Sequence, residues 1–117
     1  MSRSTEDRLH DILRAIEAIS TAEALARQHQ DEASTTQVAD VALAAVQFHV
    51  VTIGEAVKAL PADVTSARPE VPWSQIARMR DLIAHRYYAL DTAIVRATIG
   101  TPLAQLRAAC QALLRDA

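Results

Sequence analysis

Apolar residues recur with a helical period close to the start of the chain. Five of them follow the spacing i, i+3, i+4, i+7, which places them on one stripe: Leu9, Ile12, Leu13, Ile16 and Ile19. Ser4 or Thr5 precedes this stripe, and the acids Glu6 and Asp7 fall in the first turn, where the helix dipole favours negative charge. The pattern predicts a first helix from residue 4 or 5 to about residue 27.

The polar residues 28–37 predict a loop or a frayed helix end, and a different pattern follows them. Between Asp40 and Glu55 the chain has no Asp, Glu, Lys or Arg, and its apolar residues cannot fit on one stripe. A helix that is apolar on most of its circumference must be buried on more than one side. We therefore predict a central helix over about 36–60 that also forms a subunit interface, and hence a homodimer.

The remaining boundaries are set by prolines, glycine and capping residues. Pro61 ends the second helix, and residues 61–72 predict an ordered connection with one helical turn at 62–66. The next helix opens at Pro72 and Trp73, because proline is tolerated in a first turn, and should continue to about Tyr88.

The last part of the chain predicts one kinked helix or two separate ones. Asp91 is the predicted cap, and the sequence Gly100-Thr101-Pro102 either kinks or divides the helix, with Thr101 as the second cap. An apolar stripe continues beyond it: Leu103, Leu106, Cys110, Leu113 and Leu114. The fold class expected is all-α, an antiparallel bundle of four or five helices in a single domain over 1–117.

The amino-acid composition favours helices and indicates the cellular compartment. Half of the 117 residues are hydrophobic, but aromatics make up 3% and there are 2 glycines, which favours close-packed helices over sheet. No uninterrupted run of about 18 apolar residues exists, so we expect no membrane span, and the polar N-terminus lacks the pattern of a signal peptide. With its single cysteine, Cys110, expected to pack as a small hydrophobe, the protein is predicted to be cytoplasmic.

The charge distribution favours a local cationic site over a wholly basic surface. The net charge is −2, yet four arginines lie within one stretch that contains only Asp81 and Asp91 as acids: Arg78, Arg80, Arg86 and Arg96. Any contact with nucleic acid should therefore be short. Cys and His are too few and too scattered for a metal site, so we expect no metal and no cofactor.

The segment Arg80-Asp-Leu-Ile-Ala-His85-Arg-Tyr87 combines three groups suited to phosphodiester chemistry. The planar guanidinium of Arg80 is always charged and matches phosphate oxygens. The imidazole of His85 exchanges protons near neutral pH, and Tyr87 supplies a hydroxyl. Taken alone, Arg80 and His85 also fit an ordinary surface arginine and a histidine at a helix end.

Together with its neighbours, this segment resembles the HepT-like branch of the HEPN superfamily. The resemblance is carried by four pieces in order: Ile53-Gly-Glu-Ala56, Leu60-Pro61, Pro69-Glu-Val-Pro-Trp73, and Met79 to Tyr88 followed by Asp91. The superfamily motif is Arg, a short spacer, His, any residue and Tyr. Members of the branch are all-α ribonuclease toxins, each paired with a minimal nucleotidyltransferase antitoxin.

The resemblance implies roles for individual residues. Arg80 would hold the scissile phosphate of RNA, and His85 would act as general base on the ribose 2′-hydroxyl or as acid on the leaving 5′-oxygen, without a metal. Asp81 would support the site by orienting His85 or the partner chain's arginine, and Arg78 and Arg86 would assist RNA binding weakly. Gly54 is expected to allow a close helix approach, and Glu55 to be a partner for an arginine or a surface acid.

Tyr87 is the residue that the antitoxin would modify with AMP, which would add negative charge beside Arg80. A packed aromatic with a solvated hydroxyl is the other interpretation of Tyr87. Tyr88 is expected to pack.

Helix geometry leaves two ways of bringing the motif residues together. At about 100° per residue, Arg80 and Tyr87 lie nearly in line, whereas His85 is rotated roughly 140° from Arg80. Either the helix loosens near His85 or two copies face each other across a two-fold axis, as the HEPN resemblance implies. The resemblance is also compatible with assemblies larger than a dimer that include the antitoxin. The alternative function is a non-catalytic HEPN module that binds nucleotide or docks the nucleotidyltransferase, and a third is a structural bundle.

Overall fold

A computed structural model describes residues 3–28, 35–86 and 99–116, and within these ranges the chain forms helices and no strands. Five helices lie wholly within these described ranges: α1 Thr5–Gln28, α2 Thr35–Lys58, α3 Ala62–Ser66, α4 Trp73–Arg86 and α5 Thr101–Arg115. The prediction of an all-α helical bundle is confirmed for the described residues. The predicted loop or frayed helix end covered residues 28–37, of which residue 28 and residues 35–37 are helical. Residues 29–34 and the predicted cap Asp91 fall outside the described residues.

The start of α1 is fixed by reciprocal capping between Ser4 and Asp7. The backbone N–H of Asp7 donates to Ser4 Oγ at 3.0 Å, and the Ser4 N–H donates to Asp7 Oδ2 at 3.3 Å. These bonds satisfy two N–H groups that a helix N-terminus leaves free. They also hold the pKa of the Asp7 carboxyl below its ordinary value.

The core lies where α1 and α2 meet, with α4 packed on α2 and α5 packed on α1. Four of the five residues in the predicted α1 stripe are buried, and Leu13 is half-buried at its edge. The residues that are completely or almost completely buried come from four different helices: Ile12, Val50, Ile53, Ile76, Leu106 and Cys110. Helix α4, which carries the motif, is therefore held by the apolar face of α2.

Helix α2 is only partly covered within one chain. One side is buried in the core, whereas Val41 and Phe48 on the other side are 67% and 66% exposed. By length and composition, the segment Gln37–Lys58 could also cross a membrane. This differs from the prediction of no membrane span, which was based on the lack of an uninterrupted apolar run. One such helix is weak evidence for a membrane span, since core helices of water-soluble proteins pass the same test.

The connection from α2 to α4 is ordered, as predicted. The short helix α3 spans Ala62–Ser66, and Val71 after it is buried in the core. The indole Nε1 of Trp73 donates to the carbonyl of Arg68 at 2.9 Å, and the Arg68 side chain reaches Asp116 near the C-terminus at 3.3 Å. These contacts fix the point at which α4 begins.

Gly100 divides the C-terminal part of the chain, and the prediction that Thr101 caps the last helix is wrong. Ile99 is still helical, but Gly100 leaves the helical region with φ −81° and ψ −118° and is itself the N-cap of α5. Thr101 is then the first helical residue, and Pro102 lies in the first turn, where a missing N–H costs no hydrogen bond. Further along α5, Cys110 is fully buried as expected, and burial raises the pKa of its thiol to about 12.

Candidate active site at the junction of α2 and α4

Arg80 lies where α4 crosses α2, and two carboxylates hold its guanidinium. Its Nη2 donates to Glu55 Oε1 at 3.2 Å, and its Nη1 donates to Asp81 Oδ1 at 3.2 Å. The hydrogen bonds that Arg80 donates to these two carboxylates, with the one to Glu55 the larger cause, raise the pKa of Arg80 above its ordinary value. The side chain keeps 30% of its surface exposed, so the fork is fixed and still reachable from solvent.

The stem of Arg80 passes directly over Gly54. A Cβ atom at position 54 would overlap Arg80 Cβ and would lie 3.0 Å from Arg80 Cγ. The prediction that Gly54 permits a close helix approach is therefore confirmed, and the approaching group is the motif arginine itself. Because only hydrogen fits there, α4 can lie close enough to α2 for Arg80 to reach Glu55.

Glu55 is a partner for an arginine, which was one of the two roles expected for it. It is a surface residue as well, since 59% of its side chain is exposed. Because Glu55 follows Gly54 directly, the residue that admits the Arg80 stem and the residue that binds its tip are adjacent on α2.

Asp81 bonds the arginine of its own chain and one further cation. Its Oδ1 accepts from Lys58 Nζ at 2.9 Å as well as from Arg80 Nη1. The hydrogen bond from Lys58, followed by that from Arg80, holds the pKa of the Asp81 carboxyl below its ordinary value. Arg80, Glu55, Asp81 and Lys58 thus form one connected set, called the charge cluster below, that joins the end of α2 to the middle of α4.

One polar atom of the charge cluster is buried without a partner. In the described part of the chain, Arg80 Nε is the one buried side-chain nitrogen or oxygen that makes no hydrogen bond. A buried N–H without a hydrogen-bond partner destabilises the folded state. The close packing of α4 on α2, which imposes this position on Arg80 Nε, stabilises the fold by more than that cost.

His85 lies in the last turn of α4, is exposed, and is one turn beyond Asp81. Residues four apart on a helix share a face, so Asp81 and His85 point to the same side of α4. Within residues 35–86, no hydrogen bond connects His85 to Asp81 or to Arg80. A single chain therefore places the phosphate-binding and proton-transfer candidates on one helix without joining them.

The other predicted site residues contribute less to the described geometry. Arg78 is exposed on α4. Arg86 is the last residue of α4, but its side chain lies outside the described part of the structure, as do Tyr87 and Tyr88. Within the described ranges, no group of three or more His, Cys, Asp or Glu residues is placed to hold a metal ion.

Lys58 belongs to this site but was not predicted from the sequence. It is separated from Asp81 by 23 positions, so no local motif contains both residues. A signal was nevertheless present, because Lys58 is the only lysine in a chain that otherwise uses arginine for all its fixed cations.

Comparison with known proteins places the chain in a family. The family described as "HepT-like: Ribonuclease HepT-like" matches residues 9–113. A protein of Thermococcus cleftensis named "Probable ribonuclease HepT" is 33% identical over 109 residues, which cover 92% of this chain and 93% of that protein. The chain belongs to the HepT-like ribonuclease family of the HEPN superfamily.

Two shorter matches also involve proteins named as RNases. One, from Methanocaldococcus jannaschii, is 46% identical over 43 residues, or 37% of this chain and 36% of that protein. The other, from Caldanaerobacter subterraneus subsp. tengcongensis, is 36% identical over 63 residues, or 54% of this chain and 56% of that protein. No solved structure matches the chain.

Proposed function

We propose that this protein is a metal-independent endoribonuclease and the toxin of a cytoplasmic toxin–antitoxin pair. The observation that carries the proposal is the fixed and accessible fork of Arg80, on the same helix as an exposed His85. A guanidinium whose fork is already oriented loses little freedom when a phosphate binds, so its binding energy goes into holding the phosphate. Family membership supplies RNA as the substrate.

The reaction proposed is transesterification within the RNA strand. The ribose 2′-oxygen attacks phosphorus and gives its proton to a His85 imidazole, while the bond from phosphorus to the 5′-oxygen breaks. The leaving 5′-oxygen takes a proton from a second group in its acid form. Products are a 2′,3′-cyclic phosphate and a 5′-hydroxyl. Arg80 stabilises the negative charge that develops on the phosphate oxygens, a contribution of about 3 kcal/mol for one well-placed donor.

Two copies of the chain complete the site in this proposal. On α2 the exposed residues Val41, Ala44 and Phe48 are spaced i, i+3 and i+7, so they form one uncovered apolar face. Glu55 falls on the same face, two turns beyond Phe48. A second copy packed on this face would lie beside Arg80, and its His85 would supply the second proton-transfer group.

Regulation by an antitoxin is the remaining part of the proposal. A minimal nucleotidyltransferase would attach AMP to the hydroxyl of Tyr87, close to Arg80 in sequence, and the added phosphate would compete with RNA for the guanidinium. The expected consequence is loss of RNA binding without loss of fold. The alternative, a non-catalytic module that docks nucleotide or the nucleotidyltransferase, also uses Arg80 but gives His85 no task.

The test is to express the wild type and His85→Ala in bacterial cells without the antitoxin and to map RNA ends that carry 2′,3′-cyclic phosphate. The wild type should arrest growth and produce discrete new ends, and His85→Ala should do neither. Identical RNA ends from both proteins at equal expression would exclude the nuclease and favour the docking module. Co-expression with a nucleotidyltransferase should rescue the wild type and fail to rescue Tyr87→Phe.

A further inference from the structure

The charge cluster contains a second cation, Lys58, which is not part of the motif around Arg80 and His85. Lys58 is the last residue of α2, and its side chain is 47% exposed. Its Nζ and Arg80 Nη1 both donate to one atom, Asp81 Oδ1, at 2.9 and 3.2 Å. Two groups that share one oxygen are close neighbours, so the ammonium and the guanidinium form a pair of adjacent cations at the surface.

Both cations keep donors available for another anion. An ammonium has three N–H donors, of which Lys58 uses one on Asp81. Each terminal nitrogen of Arg80 has two N–H donors and uses one, on Asp81 or on Glu55. The shared oxygen of Asp81 shows that one anionic oxygen can be bound by both groups at once.

The location of Lys58 relates it to the proposed chemistry. Its partner Asp81 is one helical turn before His85, on the same side of α4. An anion held between Lys58 and Arg80 would therefore lie beside Asp81, the residue one turn before His85. Without that anion the cluster is electrically balanced, because Glu55 and Asp81 offset the two cations.

We propose that Lys58 is a second phosphate-binding residue of this site and grips an RNA phosphate together with Arg80. The inference rests on the proposed ribonuclease function and adds a residue from α2 to the motif residues Arg80 and His85 of α4. Lys58 is suited to the role because an ammonium is a mobile point charge that can follow a phosphate, whereas the Arg80 fork is fixed by its two carboxylates. Asp81 keeps the ammonium in place until RNA arrives.

The experiment measures RNA binding in the His85→Ala protein, which cannot turn over its substrate. Affinity for a fluorescently labelled single-stranded RNA is determined by anisotropy at several KCl concentrations. Lys58→Gln should weaken binding about 5- to 10-fold at low salt and reduce the slope of log affinity against log salt by about 0.7, the value for one phosphate contact on a single strand. Lys58→Arg should restore most of the affinity and the slope.

Asp81→Asn is the matched control, because it breaks the same ion pair from its other end. If Lys58 binds phosphate, Asp81→Asn frees the ammonium, and RNA should bind as tightly as before or more tightly. If Lys58 only braces α2 against α4, Lys58→Gln should leave the salt slope of RNA binding unchanged, and the two variants should lose thermal stability alike. That second pattern would overturn the inference.

A chemical measurement on the unmutated side chain covers the case of a variant that fails to fold. Since Lys58 is the only lysine, an acetylating reagent for amines can modify Lys58 and the chain's α-amino group alone. RNA should slow acetylation of Lys58 several-fold in the His85→Ala protein, and equal rates with and without RNA would contradict the proposal. If the wild type cleaves RNA but Lys58→Gln leaves the salt slope of RNA binding unchanged, only the inference about Lys58 is wrong. If the protein neither cleaves nor binds RNA, the proposed function is wrong as well.

Discussion

The backbone of Gly54 on α2 lies directly beneath the Cβ atom of Arg80 on α4. A side chain at position 54 would overlap that atom, and the arginine could not keep both its helix position and its bond to Glu55. One glycine therefore sets the spacing of two helices and, through it, the direction of the motif guanidinium.

Gly54→Ala should destabilise the protein, although alanine is the better helix former. The methyl group overlaps Arg80 Cβ, and overpacking of this kind typically costs about 1–3 kcal/mol, against a gain of about 1 kcal/mol from helix propensity. Urea unfolding measures the difference. In an Arg80→Ala background the penalty should persist because Cβ is retained, and in Arg80→Gly the same change should become stabilising. A penalty that survives in Arg80→Gly would show that the overlap is not its cause.

The sequence was sufficient to place most of the helices, because their signals are local. The α1 stripe, the helical turn at 62–66 and the start of α4 at Trp73 depend on spacing within one or two turns and on prolines. The cap of α5 was misplaced by one residue because Gly100 and Thr101 both suit an N-cap, and backbone angles decide between them.

The site was harder to predict than the helices. Arg80 and His85 were predicted from a single motif, and Gly54 was predicted to permit a close approach of two helices. Glu55 was expected only to pair with an unspecified arginine or to be a surface acid, and Lys58 was not predicted, since Glu55 and Lys58 reach Arg80 and Asp81 across 25 and 23 positions. Such pairs depend on the register in which α2 meets α4, and that register follows from tertiary packing and not from any local pattern.

Glu55→Gln should strengthen RNA binding in the His85→Ala protein. It removes one negative charge 3.2 Å from Arg80 Nη2, so an RNA phosphate bound to Arg80 is repelled less, and affinity should rise about 5-fold. The gain should shrink as salt rises, because exposed charges are screened. Anisotropy with labelled RNA measures it, and Glu17→Gln on α1 controls for the same change in net charge. Weaker binding by Glu55→Gln would mean that its charge is needed to orient the fork.

Ser4→Ala should destabilise α1 by about 1 kcal/mol at neutral pH, the usual cost of losing an N-cap side chain. Part of the effect is linked to pH, since the pKa of Asp7 is lowered by its bonds to Ser4. A lowered pKa gives stability that is present above the unfolded value of about 3.9 and is lost as pH falls through the folded value. Thermal melts should therefore show a smaller difference between wild type and Ser4→Ala at strongly acidic pH. A difference that is constant with pH would assign the effect to the hydroxyl alone.

Cys110 should resist thiol reagents until the protein unfolds. The side chain is fully buried and the pKa of its thiol is about 12, so almost no thiolate exists at neutral pH. Labelling in native buffer should be at least 10³-fold slower than in urea, matching the population of unfolded protein. Leu106→Ala, which empties a fully buried position one turn away, should accelerate labelling in proportion to its loss of stability. Rapid labelling of the folded wild type would contradict this account.

Phe48→Asp should prevent formation of the proposed dimer and abolish cleavage while leaving the helices intact. Phe48 is 66% exposed in the single chain, so the substitution costs the monomer little, but a charge placed in an apolar interface is not tolerated. Analytical ultracentrifugation, circular dichroism and the RNA-end assay measure the three properties. Leu25→Asp is the matched control, because Leu25 is also an exposed large apolar residue, at 43%, but lies on α1.

The two outcomes separate the composite site from a site contained in one chain. If monomeric Phe48→Asp still cuts RNA at the wild-type ends, one copy must bring Arg80 and His85 together alone, and the end of α4 must rotate to remove the angle of roughly 140° between them. If cleavage disappears, mixing Arg80→Ala and His85→Ala proteins decides the point. A composite site that takes Arg80 from one copy and a single His85 from the other should recover activity in the mixed dimer, whereas a site that uses the His85 of both copies should stay inactive.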